Sequence, residues 1–203
     1  MSGVPEARLV ETAGGLEPAG EGWFVVTARD ACWWQDNAFG ASCRFESRER
    51  PFPQIAFALR VLEPGKPNCM YHGESIQEDF LVLQGECLLL IEGQERRLRA
   101  WDFVHCPAWA EHVFVGADAP CVILMVGARP DEGVVYPASE LARRHAAGVE
   151  RETPLPDEAY AAYAASVRGR PDHARLPWGA YNPTASCAGS GLRGRSGRGS
   201  PSL

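Results

Sequence analysis

Between Gln54 and Ala128 the chain breaks into short runs of β-forming residues, and this segmentation constrains the fold more than any other feature. The runs are QIAFALRVL (54–62), FLVLQ (80–84), CLLLIEG (87–93), RRLRA (96–100), DFVHC (102–106), HVFVG (112–116) and CVILMVGA (121–128). WFVVTA (23–28) reads as one more strand ahead of them. The intervening PGKPN, QGE, EGQE and GADAP segments carry Gly, Pro, Asn or Asp, which set turn dihedrals. Short strands at this spacing close into a sandwich or barrel. No helical pattern lies between them, so a parallel sheet with crossover helices is excluded.

The flanks read differently. Residues 1–22 are polar and rich in Gly, Pro and Glu, which predicts a loose arm before a barrel spanning 23–130. ASELARRHAAG (138–148) and PDEAYAAYAASVRG (156–169) combine helix formers with apolar spacings of three to four. They predict a helical extension over 131–183, its second helix capped by Thr153 or Asp157. Gly, Ser and Arg dominate from Thr184 onward, the composition of a disordered tail over 184–203.

Composition narrows the function class. A net charge of −6 leaves no basic footprint for nucleic acid or an anionic membrane. The longest apolar run, Cys121 to Val126, is too short to span a bilayer. The first residues lack the basic start and apolar core of a signal peptide. The seven cysteines are odd in number and contain no CxxC pair, so they read as reduced thiols of a cytoplasmic protein.

Two stretches concentrate residues able to hold a metal: PGKPNCMYHGESIQEDFLVLQG (64–85) and WDFVHCPAWAEHVFVG (101–116). Together they resemble the paired motifs of the cupin superfamily. In the second, Pro107 and His112 keep the family spacing; Trp101 and Trp109 stand where its two glycines are usual, and Gly116 where its Asn is usual. In the first, Glu78 and Gly85 keep their interval, but the usual His-x-His is broken. A four-residue gap before Glu78 puts Tyr71 and Gly73 at the His positions and leaves no ligand there. A three-residue gap puts His72 and Glu74 there and is preferred.

That register implies a metal held by His72, Glu78 and His112 inside a jelly-roll β-barrel. A two-histidine, one-carboxylate set suits non-haem Fe(II), while Mn, Ni, Co or Zn also accept such ligands. The physics of a barrel interior agrees, because buried polar groups need something to satisfy them. The YHGESIQEDF segment is similar, within the superfamily, to the 3-hydroxyanthranilate dioxygenases.

The resemblance implies a metal-dependent dioxygenase acting on a small organic molecule, with Glu74 as a proton carrier or a fourth ligand. A sugar or keto-acid isomerase and a non-catalytic small-molecule-binding or sensor module are the alternatives. No DNA-binding helix-turn-helix pattern precedes the barrel. His105 is expected to pack or hydrogen-bond, Cys69 to be a buried thiol, and Tyr71 to point away from the His72 face. Open sheet edges and apolar additions to the barrel favour a homodimer.

Overall fold

The computed structural model describes residues 3–130 and 132–172. The tail expected over 184–203, and the end of the expected helical extension, lie outside the described residues. The first strands are β1 (Arg8–Thr12), β2 (Gly15–Ala19), β3 (Cys32–Asp36), β4 (Gly40–Arg44), β5 (Ile55–Leu62) and β6 (Gly73–Glu74). Then come β7 (Glu78–Gln84), β8 (Glu86–Ile91), β9 (Gln94–Arg99), β10 (Phe103–Cys106), β11 (His112–Gly116), β12 (Cys121–Ala128) and β13 (Val134–Val135). Two short helices, α1 (Glu140–Arg144) and α2 (Pro156–Ala159), and a last strand, β14 (Val167–Arg168), complete the order.

The strands build a jelly-roll barrel. A seven-stranded sheet runs β10-β7-β12-β5-β4-β3-β14, and a three-stranded sheet runs β11-β8-β9. All the strand ladders are antiparallel. Alternation along each strand sends every second side chain inward. Leu62, Phe80, Val82 and Ile123 of the large sheet thereby meet Cys87, Leu89 and Phe114 of the small one in a single core. A second cluster around Trp33, Cys43, Leu59 and Val61 lies on the outer face of the large sheet.

Local turn chemistry fixes the registers. Glu92 and Gly93 both have positive φ, 48° and 70°, the two-residue geometry that matches strand twist, and the turn sets Ile91 opposite Gln94. At Gly85, φ is 80° and an added Cβ would lie 2.7 Å from the Pro120 carbonyl oxygen, so this turn requires glycine.

Several expectations are corrected. Residues 1–22 are not a loose arm: β1 and β2 form a hairpin, and Leu16 bridges to Ala31. Glu17 is 5% exposed and pairs with Arg168 at 3.1 Å, an anchor from the far end of the chain that no local pattern reveals. WFVVTA forms no strand beyond an isolated bridge from Trp23 to Glu6; Val26 and Ala28 instead pack on the outer cluster. β4 carries no strand signal in the sequence, since its small residues Gly40, Ala41 and Ser42 resemble a loop, yet all three are buried.

The helices are shorter than their patterns suggest. Ser139 caps α1 by accepting from the Ala142 N–H, and the chain leaves the helix at Ala146, φ 56°. At α2 neither Thr153 nor Asp157 is the cap; Leu155 holds that place, and the Thr153 hydroxyl donates to Glu158. Tyr160 and Tyr163 then turn onto Phe39, with ring centroids 5.4 and 4.8 Å away, and this packing outweighs the helical propensity of the alanines.

Candidate metal centre

The cluster forms where three non-adjacent strand ends meet. Glu78 opens β7 and His112 opens β11, while His72 directly precedes β6. The backbones of His72 and His112 exchange hydrogen bonds, N to O, at 3.2 and 2.8 Å. This reciprocal pair joins residues forty apart in sequence and brings their ring centroids to 5.2 Å. Alternation from Glu78 and His112 puts Phe80 and Phe114 beneath them, so the polar cluster sits on an apolar floor.

One ligand atom from each of His72, Glu78 and His112 lies within 4.8 Å of the others. His112 Nε2 is 3.3 Å from Glu78 Oε2. Both histidines face the cluster with the same nitrogen, for a local reason. His72 Nδ1 lies 2.8 Å from the Met70 carbonyl oxygen, and His112 Nδ1 lies 2.9 Å from that of Ala110. A backbone carbonyl can only accept, so each Nδ1 carries a proton, and in the neutral form of either ring the lone pair lies on Nε2. Such backbone anchoring orients metal-ligating histidines generally.

Electrostatics sharpen the picture. His72 and His112 are 8% and 2% exposed. Burial, reinforced by the charge of His72, pushes His112 down to about 4, so it is a neutral donor near pH 7. Burial also opposes charge on His72, but Cys69 and Glu74 outweigh it and hold His72 well above the ordinary range. Two imidazoles and a carboxylate converging in a protected site suit a divalent transition metal, which His72 would bind by giving up its Nε2 proton.

Glu74 stands apart from that triad but touches it, with Oε1 3.3 Å from His72 Nε2. It shares with Glu78, Met125, Gly127 and Arg129 the wall of a cavity of about 400 Å³. His105 is not brought to the cluster; its Nδ1 bonds Asp79 at 2.7 Å and its side chain is half exposed. Cys69 approaches His72 Nδ1 only at 3.7 Å. Tyr71 is buried away from the cluster, its hydroxyl accepting from the Gly93 N–H.

Trp101 and Trp109 are 75% and 53% exposed and do not pack in the core. Both keep the left-handed backbone of the glycines they replace, with φ of 75° and 69°. Sequence reasoning missed Tyr136, whose ring lies 5.9 Å from that of His72. It follows the barrel on a separate segment, so no spacing rule points to it.

Residues 58–127 match the family model described as the cupin domain, so this stretch is a cupin-superfamily domain. Solved structures share the likeness at low identity. One is a polyketide cyclase, RemF, from Streptomyces resistomycificus, with 15% identity over 67% of this chain and 89% of that one, TM-score 0.49. Another, from Acidithiobacillus ferrooxidans, is described as a sugar phosphate isomerase, with 28% identity over 40% of this chain and TM-score 0.38. The chain spans about half of that structure's length, 54%. A third is a variant of salicylate 1,2-dioxygenase from Pseudoaminobacter salicylatoxidans, with 16% identity over 42% of this chain and 25% of that one, TM-score 0.39. No curated protein matches the chain. Among the described residues no helix is long and apolar enough to cross a membrane.

Proposed function

We propose that the protein is a metal-dependent dioxygenase acting on a small organic molecule, with iron held by His72, Glu78 and His112. The observation that carries this reading is the convergence of two backbone-anchored Nε2 atoms and one carboxylate within 4.8 Å. His72, Glu78 and His112 would hold the metal, which when bound would supply Lewis acidity and one-electron chemistry. The chain's own groups do the rest. The apolar floor of Phe80 and Phe114 excludes water from one side. Glu74, on the cavity wall beside His72, takes or returns a proton at Oε1.

The test is reconstitution of untagged protein with Fe(II) under anaerobic conditions, then oxygen uptake against a panel of phenols and aminophenols. About one iron per chain with substrate-dependent oxygen consumption is the expected result. Iron retained with no oxygen uptake for any substrate would turn the reading into a small-molecule-binding module. Glu74→Gln is expected to keep the iron and lower kcat by about a hundredfold, the range of a lost general acid–base. An unchanged kcat would remove Glu74 from the chemistry. The same reading takes the molecule as a homodimer, which light scattering would establish as twice the mass of one chain.

A further inference from the structure

A second cavity, of about 430 Å³, lies on the inner face of the large sheet and takes no part in the metal cluster. It is lined by Trp34, Ser42, Arg44 and Arg60 from three neighbouring strands, and by Tyr160 and Tyr163 from the segment after α2. Glu74 and Glu78 belong to the other cavity. Ladder register puts the four sheet residues on one face: Trp34 is opposite Ser42, Ser42 opposite Arg60, and Arg60 opposite the fully buried Ile123.

Arg60 is the anomaly. Arg129 and Arg168 have Glu46 and Glu17 as partners at 2.6 and 3.1 Å. Among the described residues Arg60 has no carboxylate within 4.0 Å, and its Nε is buried with no hydrogen-bond partner. A guanidinium cannot shed its charge as a lysine can, so a partly buried one with no carboxylate beside it favours an anion. Burial depresses its pKa, the direction expected of an uncompensated cation.

The nearby acids do not meet that demand. Asp36 Oδ1 accepts the Ala38 and Phe39 N–H groups at 2.8 and 3.1 Å, and Asp157 is exposed on α2. Arg44 adds a second cation, its guanidinium 5.6 Å above the Trp34 ring. Trp34, Phe39, Tyr160 and Tyr163 line the same cavity, with Phe39 packed against both tyrosines and Arg44, Arg48 and Arg168 over the Trp34 ring.

We infer that this cavity is a binding site for a small aromatic carboxylate, with Arg60 receiving the carboxylate and the aromatic walls holding the ring. Arg60 presents a planar fork that pairs with two oxygens at once, and Arg44 neutralises the approach. A single-ring acid is well within the volume. The site stands independently of the metal, so it survives failure of the dioxygenase reading.

Benzoate is the probe, followed by calorimetry and by Trp fluorescence, on the protein as purified and again after chelation. Saturable binding that persists after chelation is expected. Benzamide, the neutral isostere, is expected to bind at least tenfold more weakly, and so is benzoate to Arg60→Met. Arg60→Lys keeps the charge, loses the fork, and falls between them. Benzoate binding that disappears with the metal overturns the proposal, as does equal affinity for benzamide. Binding of inorganic phosphate with none of benzoate also overturns it. Should Arg60→Met fail to fold, the benzoate-to-benzamide ratio on the unaltered protein still decides.

Discussion

Replacing His112 with alanine is expected to abolish metal binding while the barrel still folds. His112 offers one of the three atoms that could hold a metal and is kept neutral by burial, so its loss would leave two donors and an open side. Even an outer partner of a ligand is worth about ten- to a hundredfold in metal affinity, and a ligand itself exceeds that. The fold tolerates the change because alanine retains both backbone bonds to His72. The missing ring leaves a void beside Phe80 and Phe114 worth roughly 1–3 kcal/mol, a fraction of what a core of this size supplies. Glu78→Gln is the gentler companion, keeping shape and removing only the charge. Elemental analysis alongside circular dichroism reads both effects. Full metal occupancy in both variants would show that the ligands lie elsewhere.

Gly116→Ala is expected to destabilise the protein by about 3 kcal/mol although only one methyl group is added. An added Cβ would sit 2.1 Å from the Glu63 carbonyl oxygen and 2.7 Å from its carbon, both backbone atoms that cannot rotate away. The same backbone makes two bonds here, Gly65 N–H to the Gly116 carbonyl and Gly116 N–H to the Lys66 carbonyl, each 2.9 Å. The clash must therefore break a bridge or shift the 63–67 segment. For a chain of this length the melting temperature falls by roughly 6–12 °C. Gly93→Ala is the control. Nothing lies within 4 Å of its added Cβ, so only the strain of φ 70° remains, about 1 kcal/mol. A Gly116→Ala melt indistinguishable from the unaltered protein would refute the close approach. This crowding also accounts for the departure at Gly116 from the Asn usual in the motif.

The strands and the candidate metal-holding residues were legible because their signals are local. HVFVG and CVILMVGA became β11 and β12 with no change of boundary, since alternation and flanking turns are properties of a few consecutive residues. His72, Glu78 and His112 were named from motif spacing, and the fold gathers them within 4.8 Å. What remained hidden depends on partners distant in sequence. The β1–β2 hairpin is held by Ala31 and Arg168, and the helical pattern after Pro156 yields to Phe39.

The amino-acid sequence by itself determined an antiparallel barrel and the residues offered to a metal, because strand period and turn chemistry act over a few ångströms of chain. Carbonyls two residues upstream fix the proton of each histidine locally, but only the tertiary structure brought His72, Glu78 and His112 together within 4.8 Å. It alone decided that the Arg60 Nε is buried with no hydrogen-bond partner, in a cavity lined by four aromatic rings. Burial and pairing are relations between segments that meet only when the chain has closed, and no window of sequence contains them.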